Sequence, residues 1–160
     1  MDQPIIIYSD GSSRGNPGPG GYGVILMYGN HRKELSKGYR LTTNNRMELL
    51  GVIEGLKSIK SADKPVEIFT DSQYVVKAIN EGWLQKWLRT DFAGGKKNKD
   101  LWKTYAALAS KFRISFKWVK GHSTNPYNNR CDELATAAAD GKDLDIDQGY
   151  EAEVNGRMFS

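Results

Sequence analysis

One cysteine among 160 residues, Cys131, leaves no partner for an intramolecular disulfide and no cluster of thiolates for a zinc site. A reducing, cytoplasmic setting is the expectation. No apolar run approaches the roughly 20 residues that span a bilayer, and Met1-Asp2-Gln3-Pro4 lacks the basic segment and long apolar stretch of an export signal. The chain therefore reads as soluble, unexported and free of membrane attachment. There is no internal repeat and no linker long enough to divide the sequence. Residues 1–160 read as one domain, large enough to bury a core without covalent staples. Charge of one sign is only mildly in excess, at +4 with a pI near 9.1, which fits a polyanionic partner without requiring one.

What is present begins with Ile5-Ile6-Ile7-Tyr8-Ser9-Asp10-Gly11, an apolar and β-branched run ending in a turn dipeptide. Such a run reads as a strand buried on both faces, with Asp10 at its downstream end. The glycine-rich stretch Gly15 to Gly21 follows, too poor in side chains to pack and open to close approach by a ligand. Tyr22 to Tyr28 and Arg32 to Tyr39 read as a hairpin turning at Gly29-Asn30. Asn45-Arg46-Met47-Glu48 matches a capping-box helix start, and Leu49, Val52, Ile53 and Leu56 repeat as one helical face. Val66 to Thr70 is a short strand, expected to lie parallel to the first because a helix connects them. Helices are expected over Ser72 to Asn80, Trp83 to Leu88, Leu101 to Lys111 and Asn128 to Asp140, and a last strand over Ile114 to Val119. The tail from about 142 to 160 carries five acidic residues and few apolar ones, and reads as loosely attached. The pattern is a mixed sheet with helices on it, an α/β arrangement.

Four carboxylates stand at positions that converge in such a fold. Asp10 and Asp71 each follow a strand, and parallel neighbours bring both to the same sheet edge, where ligands gather. Glu48 lies at the border of its helix's apolar stripe, and Asp132 lies nearer the buried face of the last helix than Glu133 does. Singly, each has a plain structural reading: Glu48 as the capping-box partner of Asn45, Asp71 as a helix cap, Asp132 as an exposed helical acid. Gathered, they repel one another unless a cation lies between them. Oxygen ligands suit hard ions such as Mg²⁺ or Mn²⁺, and a pair of such ions serves phosphodiester hydrolysis.

His122 follows the last strand in Trp118-Val119-Lys120-Gly121-His122, where an imidazole either shuttles protons or makes a local hydrogen bond. The other histidine, His31, sits beside a hairpin turn and reads as exposed. From about 82 to 99, Trp83, Trp87 and Phe92 alternate with Lys86, Arg89, Lys96, Lys97 and Lys99. Aromatic faces beside cations suit nucleic acid, although Trp83 and Trp87 are also spaced to pack on the domain.

Asp10-Gly11-Ser12, Gly15-Asn16-Pro17-Gly18-Pro19-Gly20-Gly21, Thr43-Asn44-Asn45-Arg46-Met47-Glu48-Leu49, Thr70-Asp71-Ser72-Gln73-Tyr74-Val75, Trp118 to His122 and Asn129-Arg130-Cys131-Asp132-Glu133-Leu134-Ala135 occur in this order. From about Ile5 to Val154 the chain closely resembles the bacterial type 1 ribonuclease H family. The resemblance implies the ribonuclease H fold, a five-stranded mixed sheet in the order 3-2-1-4-5 flanked by helices. It implies cleavage of the RNA strand of RNA/DNA hybrids, leaving 5′-phosphate and 3′-hydroxyl ends, with two Mg²⁺ ions. Asp10, Glu48, Asp71 and Asp132 are similar to the family's metal-binding carboxylates, and His122 to its mobile proton-transfer residue. Asn16, Asn44, Asn45 and Gln73 resemble its minor-groove contacts, and Thr43 a residue near a DNA phosphate. The segment with Trp83, Lys86, Lys96, Lys97 and Lys99 resembles its basic protrusion, here shorter and interrupted by Asp91. Ser13 stands where bacterial members often carry cysteine. A hybrid partner is what the resemblance implies; no obligate protein partner is expected, and a monomer is the default.

Two other readings are open on the residues alone. A hybrid-binding module without catalysis needs the basic surface and asparagines but no complete acidic quartet. A DNA nuclease of the same superfamily needs the quartet, but not Asn44, Asn45, Gln73 and the basic extension.

Overall fold

The computed structural model describes residues 3–94, 96–121 and 124–158. Its axis is β1 (Ile5–Ser13), which pairs antiparallel with β2 (Gly18–Tyr28) and parallel with β4 (Pro65–Thr70). Outside these lie β3 (His31–Thr42) on β2 and β5 (Arg113–Trp118) on β4, giving the order β3-β2-β1-β4-β5. The helices are α1 (Asn44–Lys57), α2 (Gln73–Asn80), α3 (Trp83–Arg89), α4 (Lys99–Ala109), α5 (Pro126–Ala139) and α6 (Gln148–Met158). No helix among the described residues is long and apolar enough to cross a membrane.

Side chains alternate across β1, so its two faces build two cores. Ile7, Val24 and Ile68 meet Leu49, Val52, Ile53 and Leu56 of α1 in the larger core, which extends through Trp102 and Tyr105 of α4. On the other face Tyr8 and Ile25 meet Cys131 of α5 in a small one. Burial at 0% for Leu49, Val52, Ile53 and Leu56 accounts for the helical spacing read in the sequence.

β1 and β2 extend beyond their expected ends, to Ser13 and from Gly18, pairing as far as Ser13 with Gly20. The glycines explain this. A Cβ at Gly21 would lie 2.7 Å from the Ala135 carbonyl, and one at Gly23 or Gly38 would collide with α5 backbone. At Gly21 and Gly23 it is α5, not a ligand, that approaches the strand. The tail is also fixed where it was expected to be loose: Asp145 pairs with Tyr39, Asp147 and Tyr150 are buried, and α6 follows. Its acids are held by cations far away in sequence, Asp147 by Arg46 and Glu151 by Arg40.

Candidate active site

The parallel pairing of β1 with β4 ends at Ser9 opposite Thr70. Asp10, still within β1, and Asp71, just past the end of β4, come next, so both carboxylates stand at one level of the sheet. From the side, Gly11 lets α1 touch β1, which sets Glu48 against Asp10. Oxygens of Asp10, Glu48 and Asp71 all lie within 4.8 Å of one another, an arrangement that fits a metal ion. Asp132, half-buried on α5, lies outside that tight group but lines the same cleft of about 710 Å³. Its neighbour Glu133 is exposed and paired to Arg130 at 3.0 Å.

The local chemistry dismisses two structural alternatives. Thr43, not Asn45, caps α1, accepting from the Arg46 amide at 3.3 Å, so the helix begins earlier than the capping-box reading places it and Glu48 is free of that duty. Ser72, not Asp71, caps α2, accepting from the Val75 amide at 3.2 Å. Asp71 is held instead through its carbonyl, which accepts from Trp118 Nε1 at 3.1 Å.

Electrostatics mark the cluster as short of positive charge. Burial pushes the Asp10 carboxyl from an ordinary 3.8 up to about 8, helped by the charges of Asp71 and Asp132, although the Gly11 amide donates to it at 2.9 Å. Burial, then the charges of Asp10 and Asp71, raises Glu48 well above the usual carboxylate range. Glu48 Oε2 is buried without a hydrogen-bond partner. A buried, unpartnered carboxylate oxygen facing two more carboxylates is the donor set a hard divalent cation satisfies.

Asn44, Asn45 and Gln73 line the same cleft, at the starts of α1 and α2. A neighbouring hollow of about 330 Å³ joins Asn16, Thr43 and Asn45 to Lys97. Asn16 Oδ1 accepts from the Asn44 amide at 3.1 Å, so it also sets the entry of α1. In the extension the chain turns through left-handed Asp91, Phe92 and Asn98, and Phe92 is buried against Trp87. Lys86, Lys96 and Lys97 are exposed, but Lys99 opens α4 and pairs with Asp91 at 3.0 Å. Lys99 is therefore partly engaged inside the extension. Trp83 is 40% exposed and tilted against Trp87; it and Lys86 lie on α3, outside both hollows. His122 lies outside the described residues. The sequence reading missed Asn128, 2% exposed in the cleft wall with Oδ1 unpartnered, and Arg46, whose buried charge no local pattern betrays.

A family model described as RNase H matches residues 2–140. The chain belongs to the RNase H family. It is 53% identical over 150 residues to a ribonuclease H of Syntrophus aciditrophicus, covering 91% of this chain and 86% of that one. With a ribonuclease H of Aeromonas salmonicida it shares 53% identity over 154 residues, 94% of this chain and 99% of the relative. Among solved structures it resembles LC9-RNase H1, described as a type 1 RNase H with the type 2 active-site motif, at TM-score 0.78 and 30% identity over 87% of this chain and 73% of that one. It also resembles LC11-RNase H1 in complex with an RNA/DNA hybrid, at TM-score 0.65 and 28% identity over 85% and 96% of the two chains. Family and fold make it a nuclease, a hydrolase, and the sheet order is the one the resemblance implied.

Proposed function

We propose that the chain is an endoribonuclease that hydrolyses the RNA strand of RNA/DNA hybrids, leaving 5′-phosphate and 3′-hydroxyl ends, and that it acts as a cytoplasmic monomer. The observation that carries this is the cluster of Asp10, Glu48 and Asp71 within 4.8 Å, with a buried, unpartnered Glu48 oxygen. Two Mg²⁺ ions, or Mn²⁺ in their place, held by these three and Asp132, would supply an activated water and neutralise charge on the leaving oxygen. Water oxygen bonds to phosphorus and gives up a proton to solvent, the bond from phosphorus to the 3′ oxygen breaks, and that oxygen takes up a proton. His122, following β5, is the residue for that proton or for release of product.

The rest of the surface selects the substrate. Short amides at Asn44, Asn45 and Gln73 along the cleft suit a wide minor groove in which only one strand carries 2′-hydroxyls. Thr43 accepts from the Arg46 amide yet keeps its own hydroxyl proton, which with Lys97 and Asn16 suits a phosphate of the other strand. Lys86, Lys96 and Trp83 extend the positive and aromatic surface along α3 and the turn after it. The neighbour bound to a hybrid, at 28% identity, supports the same substrate.

The test is cleavage of a hybrid labelled in each strand, beside duplex DNA, duplex RNA and single strands, with Mg²⁺ and with chelator. Magnesium-dependent cutting confined to the RNA strand of the hybrid is expected. Binding without cutting would mark a recognition module, and cutting of duplex DNA a different nuclease.

A further inference from the structure

Arg46 is only 1% exposed, yet it carries a full charge. Burial works against that charge, but the hydrogen bonds that Arg46 donates to Asp100 and Asp147 outweigh it and raise the guanidinium. Both carboxylates are gripped bidentately. Nε and Nη2 reach Asp147 at 2.8 and 2.9 Å, while Nη1 and Nη2 reach Asp100 at 2.8 and 2.7 Å. Nη1 also points at Asn98 Oδ1, 3.4 Å away. Asn98 Nδ2 in turn donates to the Tyr74 hydroxyl at 3.1 Å, which also accepts from Trp102 Nε1 at 2.7 Å.

These partners come from separate parts of the chain with one thing in common. Arg46 directly follows Asn44 and Asn45 in α1. Tyr74 directly follows Gln73 in α2. Asn98 directly follows Lys97 and closes the basic extension in a left-handed turn. Asp147 belongs to the C-terminal segment, beyond the 2–140 span of the family match. A planar guanidinium holding two forks fixes direction as well as distance, which a point charge does not.

We propose that Arg46 is a positioning residue for substrate recognition, a buried clamp that sets the spacing between the cleft amides and the basic extension and is itself seated by the C-terminal segment. This rests on the reading of the site as a hybrid nuclease. Arg46 touches no substrate; it fixes the side chains that do. The carboxylates stand on β1, just past β4, on α5 and at Glu48, whose place on α1 is set by its packing against Gly11, so chemistry at the cluster is expected to survive loosening of the clamp.

The experiment measures steady-state cleavage of a hybrid by the full chain, wild type beside Arg46→Lys, which keeps charge but loses the forks, and Asp100→Asn, which keeps the shape of a half-exposed partner but removes its charge. Thermal melts fix an assay temperature at which each variant is folded. KM is expected to rise about threefold to tenfold, with kcat and the Mg²⁺ dependence within about twofold of wild type. Combining Asp100→Asn with Lys97→Ala should give less than the product of the single KM effects, because a misplaced lysine has less to lose. Unchanged KM in folded variants, a fall in kcat alone, or strictly multiplicative effects with Lys97→Ala would each overturn the clamp. Failure of the wild type to cut any hybrid would instead sink the function on which it rests.

Discussion

The main chain of Glu48 rests on Gly11: a Cβ added at Gly11 would stand 2.5 Å from the Glu48 nitrogen and 2.9 Å from Met47 Cβ. Neither neighbour can yield, because Met47 and Glu48 are buried on a helix packed along the sheet. Gly11→Ala must therefore lift α1 from β1 and carry Glu48 away from Asp10. Overpacking of this kind costs about 1–3 kcal/mol, and kcat should fall by about tenfold or more, since small displacements of catalytic groups are expensive. Thermal melts beside single-turnover cleavage check both; a destabilised variant with full kcat would show that Glu48 needs no such placement.

Asp10 gives the metal-free protein a distinctive pH response. Its folded pKa, about 8, lies above the ordinary 3.8, so the fold favours the protonated form. The cost of ionising it is absent below pH 4 and grows as pH rises towards 8. Glu48 acts in the same direction. Glu34 opposes them only in acid: hydrogen bonds from Arg130 and Arg32 lower it to about 2, and the stability it contributes is lost as pH falls from 4.5 towards 2. Asp10→Asn should be more stable than wild type at pH 8 by an amount on the order of a few kcal/mol, since each pKa unit is worth about 1.4 kcal/mol, and so melt higher there, with a much smaller difference at pH 5. It should also lose cleavage while still binding hybrid. Equal melting temperatures at both pH values would contradict the repulsion.

Asp147 is 6% exposed and holds Arg46 through two of its hydrogen bonds as well as accepting from Thr42 Oγ1 at 2.7 Å. Asp147→Ala leaves a buried guanidinium half-compensated and should destabilise the protein by about 3 kcal/mol. Denaturant unfolding measures it, and a loss below about 0.5 kcal/mol, the scale of an ordinary surface change, would show the C-terminal segment to be ornamental.

Lysines of the extension should not contribute equally to binding. Lys97, in the hollow with Asn16 and Thr43, and Lys96 are exposed, whereas Lys99 is held by Asp91. Neutralising Lys97 should lower the salt slope of hybrid binding by about one unit, and neutralising Lys99 by clearly less. Equal slopes for the two variants would show that the Asp91 pair opens on binding.

Much of this was legible because it rests on local pattern. Apolar runs fixed the strands, the helical spacing of Leu49, Val52, Ile53 and Leu56 fixed the face of α1, and a helix between two strands implied the parallel pair that brings Asp10 and Asp71 together. Other features depend on partners far away in sequence. Gly21 resembles a loop residue until α5 is laid across it. An acidic tail looks detached until Asp147 meets Arg46, 101 residues earlier. Thr43 and Ser72 took the capping roles for which Asn45 and Asp71 were equally eligible, a choice made by where each strand ends.

Calorimetric titration of Mg²⁺ and Mn²⁺ at pH 7, in two buffers of different ionisation enthalpy, tests most directly whether the acidic cluster is a cation site. With Asp10 raised to about 8, and burial pushing Glu48 in the same direction, the metal-free cluster holds a proton at pH 7 that a divalent ion must displace. The wild type should bind with net proton release, and Glu48→Gln should lose both binding and release. No binding by the folded wild type, or binding without proton release that Glu48→Gln leaves intact, would contradict a cation site there.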